Sequence, residues 1–150
     1  MIRVQREDFD VGAEIARMSE GRHGIGGVAS FIGLVRDMAG GDKIGAMTLE
    51  HYPGMTEKKL AEIEAEANRR WPLEASLIIH RYGRLEPGER IVLVVTAASH
   101  RAAALESCQF LIDWLKTKAP FWKLEETSTG PRWVEAKDSD DTAAARWHKE

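Results

Sequence analysis

The sequence predicts a mixed α+β fold, on three observations. Two long segments carry the apolar period and end signals of amphipathic helices, and several short apolar runs rich in β-branched residues are bounded by Gly and Pro. Helices and strands alternate, but without the strict regularity of repeated βαβ units.

Taken in order, IRVQ reads as a short opening strand and VGAEIARMSE as a helix. GVASFIGLVR, after the glycines of GIGG, is an apolar β-branched run that predicts a buried strand. DMAGGDKIG predicts a Gly-rich loop, and AMTLEHY a strand with Thr48 and Leu49 on opposite faces. PGMTEKKLAEIEAEANRRW predicts a helix with Thr56 as N-cap. Leu60, Ile63 and Ala67 form its apolar stripe, Arg69 and Arg70 oppose the dipole in its last turn, and Pro72 ends it. ASLIIHRYG and IVLVVTAAS read as strands separated by the LEPGE turn. HRAAALESCQFLIDWLKTKA is the second long helix, with Ser99 as expected N-cap and Pro120 beyond its end. FWKLEET predicts a further strand, and TGPR a turn into WVEA. The polar tail KDSDDTAAARWHKE is expected to order only against a partner. No repeat or linker divides the 150 residues, so one domain is expected.

Composition narrows the function. Hydrophobic residues are 43% and charged residues 30%, a globular balance. No apolar run approaches the ~18 residues of a membrane span. MIRVQREDFD is charged and lacks a signal-peptide core, so the cytoplasm is the expected location. The net charge of -3 argues against a nucleic-acid surface. The single cysteine, Cys108, excludes an internal disulfide and a Cys-based zinc site. It sits in a helical pattern and reads as a small buried hydrophobe rather than a sulfur carrier. His51 and His80 lie in strand patterns without the nearby ligands of a metal site, so neither metal nor cofactor is expected. GxSxG, HExxH and P-loop motifs are absent, and GIGG precedes a strand, unlike a dinucleotide fingerprint. Trp71, Trp114 and Trp122 read as core or subunit contacts.

Three groups of residues could carry chemistry. Ser99, His100 and Arg101 stand where an apolar strand meets a long helix. A helix start presents free N–H groups and the positive dipole end, and Arg adds a planar donor suited to phosphate. The same residues would serve as a plain surface helix start, and pattern alone does not separate the two readings. Lys116 and Lys123 flank LKTKAPFWK. A lysine in a last helical turn offsets the dipole, which explains Lys116 without function. Lys123 alternates out of an aromatic pair, where apolar walls and neighbouring cations would lower its pKa and fit it for proton transfer. Arg36 ends the GVASFIGLVR strand beside the glycine loop, a position equally suited to a binding site and to a solvated strand end.

Several segments in order, FIGLVRD, MTLEHYPGMTEK, IIHRYGRLEPGE, TAASHRAAALE, LKTKAPFWKLE and RWVEAKDSD, resemble the molybdopterin synthase catalytic subunit family from about Gly24 to Asp140. The resemblance implies an α/β hammerhead-type fold with a small added antiparallel β subdomain. It also implies a homodimer at the centre of a heterotetramer, each copy binding a small ubiquitin-like sulfur carrier that ends in Gly-Gly. The implied substrate is cyclic pyranopterin monophosphate, sulfurated to the dithiolene of molybdopterin by the carrier's thiocarboxylate. The family's pocket positions fall on Arg36, His100, Arg101, Lys116 and Lys123. Phe31 matches an aromatic position near the pocket, Glu125 a carboxylate just past the second lysine, and Lys137 a site where some relatives carry arginine.

Phosphate and thiocarboxylate are both anionic, so their meeting needs cationic walls. The resemblance therefore implies that Arg36, His100 and Arg101 hold the substrate. Lys116 would polarise the carrier's terminal carbonyl, and Lys123 would move the proton to departing oxygen, with Glu125 tuning it. Two rival readings remain: a non-catalytic subunit docking a ubiquitin-like protein, and an unrelated phospho-ligand domain.

Overall fold

The run IVLVVTAA has no polar side chain except Thr96, so it must be covered on both faces. In the computed structural model, which describes residues 1–39, 42–127, 130–134 and 138–148, that run lies in β7 (Arg90–Ala98), and every residue from Ile91 to Ala98 is buried. β7 is flanked antiparallel by β2 (Gly27–Leu34) and β5 (Leu73–Arg81), and β1 (Ile2–Gln5) adds in parallel beyond β5. The first sheet thus has the order β1-β5-β7-β2.

Alternation assigns the faces. Val92 and Val94 point into the main core with Leu60, Ile63 and Ala67 of α2 (Met55–Arg70) and Phe110, Leu111 and Leu115 of α3 (Arg101–Lys118). Leu93 and Val95 point the other way, to a smaller core closed by Phe9 and by Val11, Ile15 and Met18 of α1 (Val11–Ser19). Cys108 is buried as expected, and the apolar surroundings push its thiol up to about 11, so it is not a nucleophile in this fold.

A second, antiparallel sheet is built on the long strand β4 (Asp42–His51). β3 (Met38–Ala39) and β6 (Gly83–Leu85) pair with it, as does β8 (Phe121–Thr127), which is followed by β9 (Gly130–Val134). Met47, Leu49 and Leu85 close the inner face of this sheet against the main core. The two sheets and their helices bear out the mixed α+β reading.

Four local expectations change. GVASFIGLVR forms the edge strand β2 rather than a buried one, and Val28, Phe31, Ile32 and Leu34 remain exposed because no helix covers its outer margin. DMAGGDKIG is no plain loop: β3 and the start of β4 pair within it, Met38 with Lys43 and Ala39 with Asp42. The N-cap of α2 is Gly54, at φ 85°, where a side chain would be strained, and its N–H donates to Glu57 at 3.2 Å. Thr56 sits two residues farther on, within the first turn, and is fully buried. Its hydroxyl accepts from Tyr52 N at 2.9 Å and donates to the Pro120 carbonyl at 3.1 Å. The N-cap of α3 is His100, not Ser99, whose hydroxyl instead reaches Glu74.

The tail also departs from expectation. It forms α4 (Asp138–Ala145), which packs on α3, and Trp147 lies beyond it against Trp71 and Phe110 at ring separations of 5.6 and 5.8 Å. Trp147 Nε1 donates to Asp113 at 2.7 Å, and Arg70 donates to its carbonyl at 2.5 Å. An aromatic that fills a core gap and satisfies its own N–H needs no partner protein to be ordered. Trp147→Ala should therefore destabilise the chain by about 3 kcal/mol, lowering Tm by ~6–12 °C. Calorimetry checks this, and an unchanged Tm would mean that the tail is not part of the folded core.

Candidate functional site

Chain direction decides which basic residues can meet. β2 begins beside α3, for a Cβ added to Gly27 would lie 3.5 Å from the Cα of Arg101. α3 then returns along β7 and β2, tied in its first turn by the Thr96 hydroxyl donating to the Ala104 carbonyl at 2.6 Å. β2 and α3 therefore run the same way from a shared start. His100 and Arg101 stand at that start, both exposed. Lys116 lies in the last turn of α3, ~22 Å farther along at 1.5 Å per residue. Arg36, exposed just past β2, lies ~30 Å from Gly27 at the strand rise. The basic residues divide into two groups at opposite ends of one sheet.

The end holding Lys116 is the richer. Lys123 pairs with Leu49 of β4, and Phe121 with His51, so Phe121, Lys123 and Glu125 share the inner face of β8 with Leu49 and His51. Glu125 is buried, and Lys116 and Lys123 are half-buried. Between these elements lies His80 of β5, itself buried. Its ring stacks on Phe121 with centroids 3.8 Å apart and planes at 19°. Its Nδ1–H donates to the Arg81 carbonyl at 2.8 Å, which leaves Nε2 carrying the lone pair. His51 packs on Tyr82 at 4.2 Å, and the Arg6 guanidinium lies 4.9 Å over the Tyr82 ring.

Burial pushes the His80 imidazole down to about 3, the ammonium groups of Lys116 and Lys123 and the ring of His51 adding to the effect; the Arg81 carbonyl acts in the opposite sense. A neutral ring thus stands within the field of two lysines converging from different elements. Such a place can accept an anion and relay a proton. Among the described residues, no three His, Cys, Asp or Glu side chains gather to hold a metal.

Of the residues singled out in the sequence, the fold gathers Lys116, Lys123 and Glu125 at one end, with Arg36 on the same end of the sheet. It keeps His100 and Arg101 at the other. Phe31 sits midway along β2, on the face that carries α3, and is 40% exposed. Lys137 lies outside the described residues. In the sequence His51 and His80 read only as strand residues without metal-site partners, and Tyr82 and Phe121 were not marked. The available signal was a histidine closing the apolar run ASLII on the same face as Ile78, where an aliphatic residue would be ordinary.

The buried ring makes stability depend on pH. From pH 6.5 down to about 3 the unfolded chain binds a proton that folded His80 refuses. Stability therefore rises with pH across that window and its dependence on His80 vanishes above it. Glu66, held at about 2 by Arg69 and Arg70, contributes stability that is lost only as pH falls below 4.5. The urea midpoint should thus fall between about pH 7 and 5. His80→Phe should flatten that slope, and an unchanged slope would place its origin elsewhere.

Known proteins share this arrangement across nearly the whole chain. The family described as MoaE protein matches residues 4–118. The molybdopterin synthase catalytic subunit of Pseudomonas aeruginosa is 55% identical over 148 residues, covering 99% of each chain. A solved MoaE structure from Burkholderia ambifaria superposes with a TM-score of 0.85 at 53% identity, covering 100% of this chain and 99% of its own. A more distant fold relative, 19% identical with a TM-score of 0.72 and covering 91% of this chain and 90% of its own, is described as a complex of subunits 1 and 2 of molybdopterin-converting factor from Helicobacter pylori. With about half its residues identical to the Pseudomonas and Burkholderia relatives over nearly its whole length, and with its lysine-bearing strand and helix inside the shared fold, the chain belongs to the MoaE family of molybdopterin synthase catalytic subunits.

Proposed function

We propose that the 150 residues act as one catalytic domain that moves sulfur from the C-terminal thiocarboxylate of a small Gly-Gly-ending carrier to cyclic pyranopterin monophosphate, forming the dithiolene of molybdopterin. The observation that carries this reading is the convergence of Lys116 and Lys123 on one half-buried place, with Glu125 on the same strand face as Lys123. Two anions must meet there, and two ammonium groups offset their repulsion where water screens least. Lys116 polarises the carrier's terminal carbonyl and balances charge as sulfur leaves. Lys123 delivers the proton to the departing oxygen, and Glu125 adjusts it. The reaction belongs to the cytoplasm, and no helix among the described residues is long and apolar enough to cross a membrane.

The substrate's phosphate and pterin need Arg36, Phe31, His100 and Arg101, yet these span both ends of the sheet. A second copy resolves this. β2 is an edge strand with Val28, Ile32 and Leu34 exposed on one face and Phe31 on the other. Edge strands with apolar side chains pair readily. A two-fold axis setting β2 antiparallel to its counterpart brings the Arg101 end of one protomer to the Arg36 and Lys116 end of its partner. Each site is then shared between two copies, with the carriers outermost in a heterotetramer. Lys137, outside the described residues, is kept as a further contact to the substrate.

Purified chain, thiocarboxylated carrier and cyclic pyranopterin monophosphate should together form a product that oxidises to a fluorescent pterin. Lys116→Ala should abolish that product while leaving carrier affinity within about threefold, since a single rim charge seldom dominates an interface. Carrier binding by the unsubstituted chain without product would instead favour a non-catalytic docking subunit. Sharing of the site has its own test: Lys116→Ala and Arg101→Ala chains, each inactive alone, should recover about a quarter of full activity when unfolded and refolded together, because half of the dimers are mixed and each carries one intact site. Absence of recovery would place both residues in one chain's site.

A further inference from the structure

We propose that His80 is a positioning residue for Lys123: its ring clamps the entry of β8 and so sets where the second lysine stands relative to the first. The inference rests on the sulfur-transfer reading above and adds a residue to it.

The position is costly for an imidazole. His80 is 3% exposed and lies on the same strand face as Ile78, where an aliphatic side chain would bury apolar area without leaving nitrogen atoms to satisfy. What the imidazole offers instead is two directional contacts. Nδ1–H is held by the Arg81 carbonyl, which fixes the ring's rotation, and the ring face lies flat on Phe121. Phe121 is two residues before Lys123 on the same face of β8, so a shift of the stacked ring is transmitted directly to the lysine.

The opposite side of the same point is also tied. Pro120, immediately before Phe121, receives the buried Thr56 hydroxyl from α2, and the Phe121 N–H donates to the Ala119 carbonyl at 2.9 Å. The chain between Lys116 on α3 and Lys123 on β8 is thus pinned at Pro120 by α2 and at Phe121 by β5. These contacts fix the course of the chain that joins the two lysines.

Charge explains why the clamp is a neutral ring. The groups acting on it come from three elements: the ammonium groups of Lys116 on α3 and Lys123 on β8, and the ring of His51 on β4. A cationic side chain here would be repelled by both lysines, whereas an aliphatic one would provide neither a flat face nor an N–H. Phenylalanine keeps the flat face and the neutrality, and loses only the anchor to Arg81.

The three-component reaction measured with His80→Ala and His80→Phe separates the possibilities. His80→Ala should lower kcat by about 30- to 100-fold, the scale of an ångström-sized misplacement, with KM for the pterin and affinity for the carrier within about threefold. His80→Phe should recover kcat to within about fivefold of the unsubstituted chain, because the stack alone restores most of the positioning. Carrier affinity and far-UV circular dichroism verify that each variant is folded. Equal loss in both folded variants would mean that a ring nitrogen takes part in the reaction itself, and a rise in KM alone that His80 binds substrate. Either result, or full activity in His80→Ala, overturns the positioning role. An inactive unsubstituted chain would instead overturn the sulfur-transfer reading on which the inference stands.

Discussion

Burial of β7 from Ile91 to Ala98 is the constraint from which the rest of the arrangement follows. A strand whose residues Ile91 to Ala98 are all removed from water must have a neighbour on each edge and cover on each face. β2 and β5 satisfy its edges, α1 covers one face, and α2 and α3 cover the other. Because α3 follows β7 directly, it can cover that face only by running back along it. That reversal leaves one end of the sheet with the start of α3 and the opposite end with its last turn. The split of the basic residues into two groups is a consequence of this packing and not a separate feature of the surface.

At the end that collects Lys116 and Lys123, electrostatics and packing oppose one another. The ammonium groups of Lys116 and Lys123 both act on the buried His80 ring, and both would repel a proton on it. Burial keeps that ring neutral, and its hydrogen bond to Arg81 and stack on Phe121 supply the rigidity that holds the place open. Burying an imidazole this deeply within reach of two ammonium groups costs stability. The cost is met elsewhere, in the main core and in the aromatic cluster of Trp71, Phe110, Trp114 and Trp147.

The margins of the chain divide between closed and open. At the C-terminus, Trp147 closes the α2–α3 surface, joined by Arg70 and Asp113. β2 keeps an apolar edge in solvent, beside Arg36 at one end and near Arg101 at the other. An edge of this kind is a hazard in an isolated domain and an asset in one that pairs with itself. Trp122 and Trp133 likewise remain exposed on the second sheet, so of the core and subunit contacts its spacing allowed, Trp122 is not in the core, while Trp71 and Trp114 are partly buried against it.

Much of this was legible in the residues. The period of Leu60, Ile63 and Ala67 determined the buried stripe of α2, the apolar run Ile91–Ala98 determined a strand covered on both faces, and Pro72 and Pro120 marked where helices stop, because these signals act over one or two turns of chain. Phosphate-suited cations and a lysine pair could also be chosen by chemistry alone. Only the tertiary structure decided that GVASFIGLVR lies at an edge, since burial of a strand depends on what lies beside it and not on its own composition. It also decided that Thr56 serves as a buried tie rather than a cap, and that the polar tail is anchored through Trp147. The separation of Arg101 from Lys116, and the placing of His80 between two lysines distant from it in the chain, came from the direction in which α3 returns over the sheet. Periodicity carries no record of such long-range encounters, because it reports which face a residue occupies and not what that face will meet.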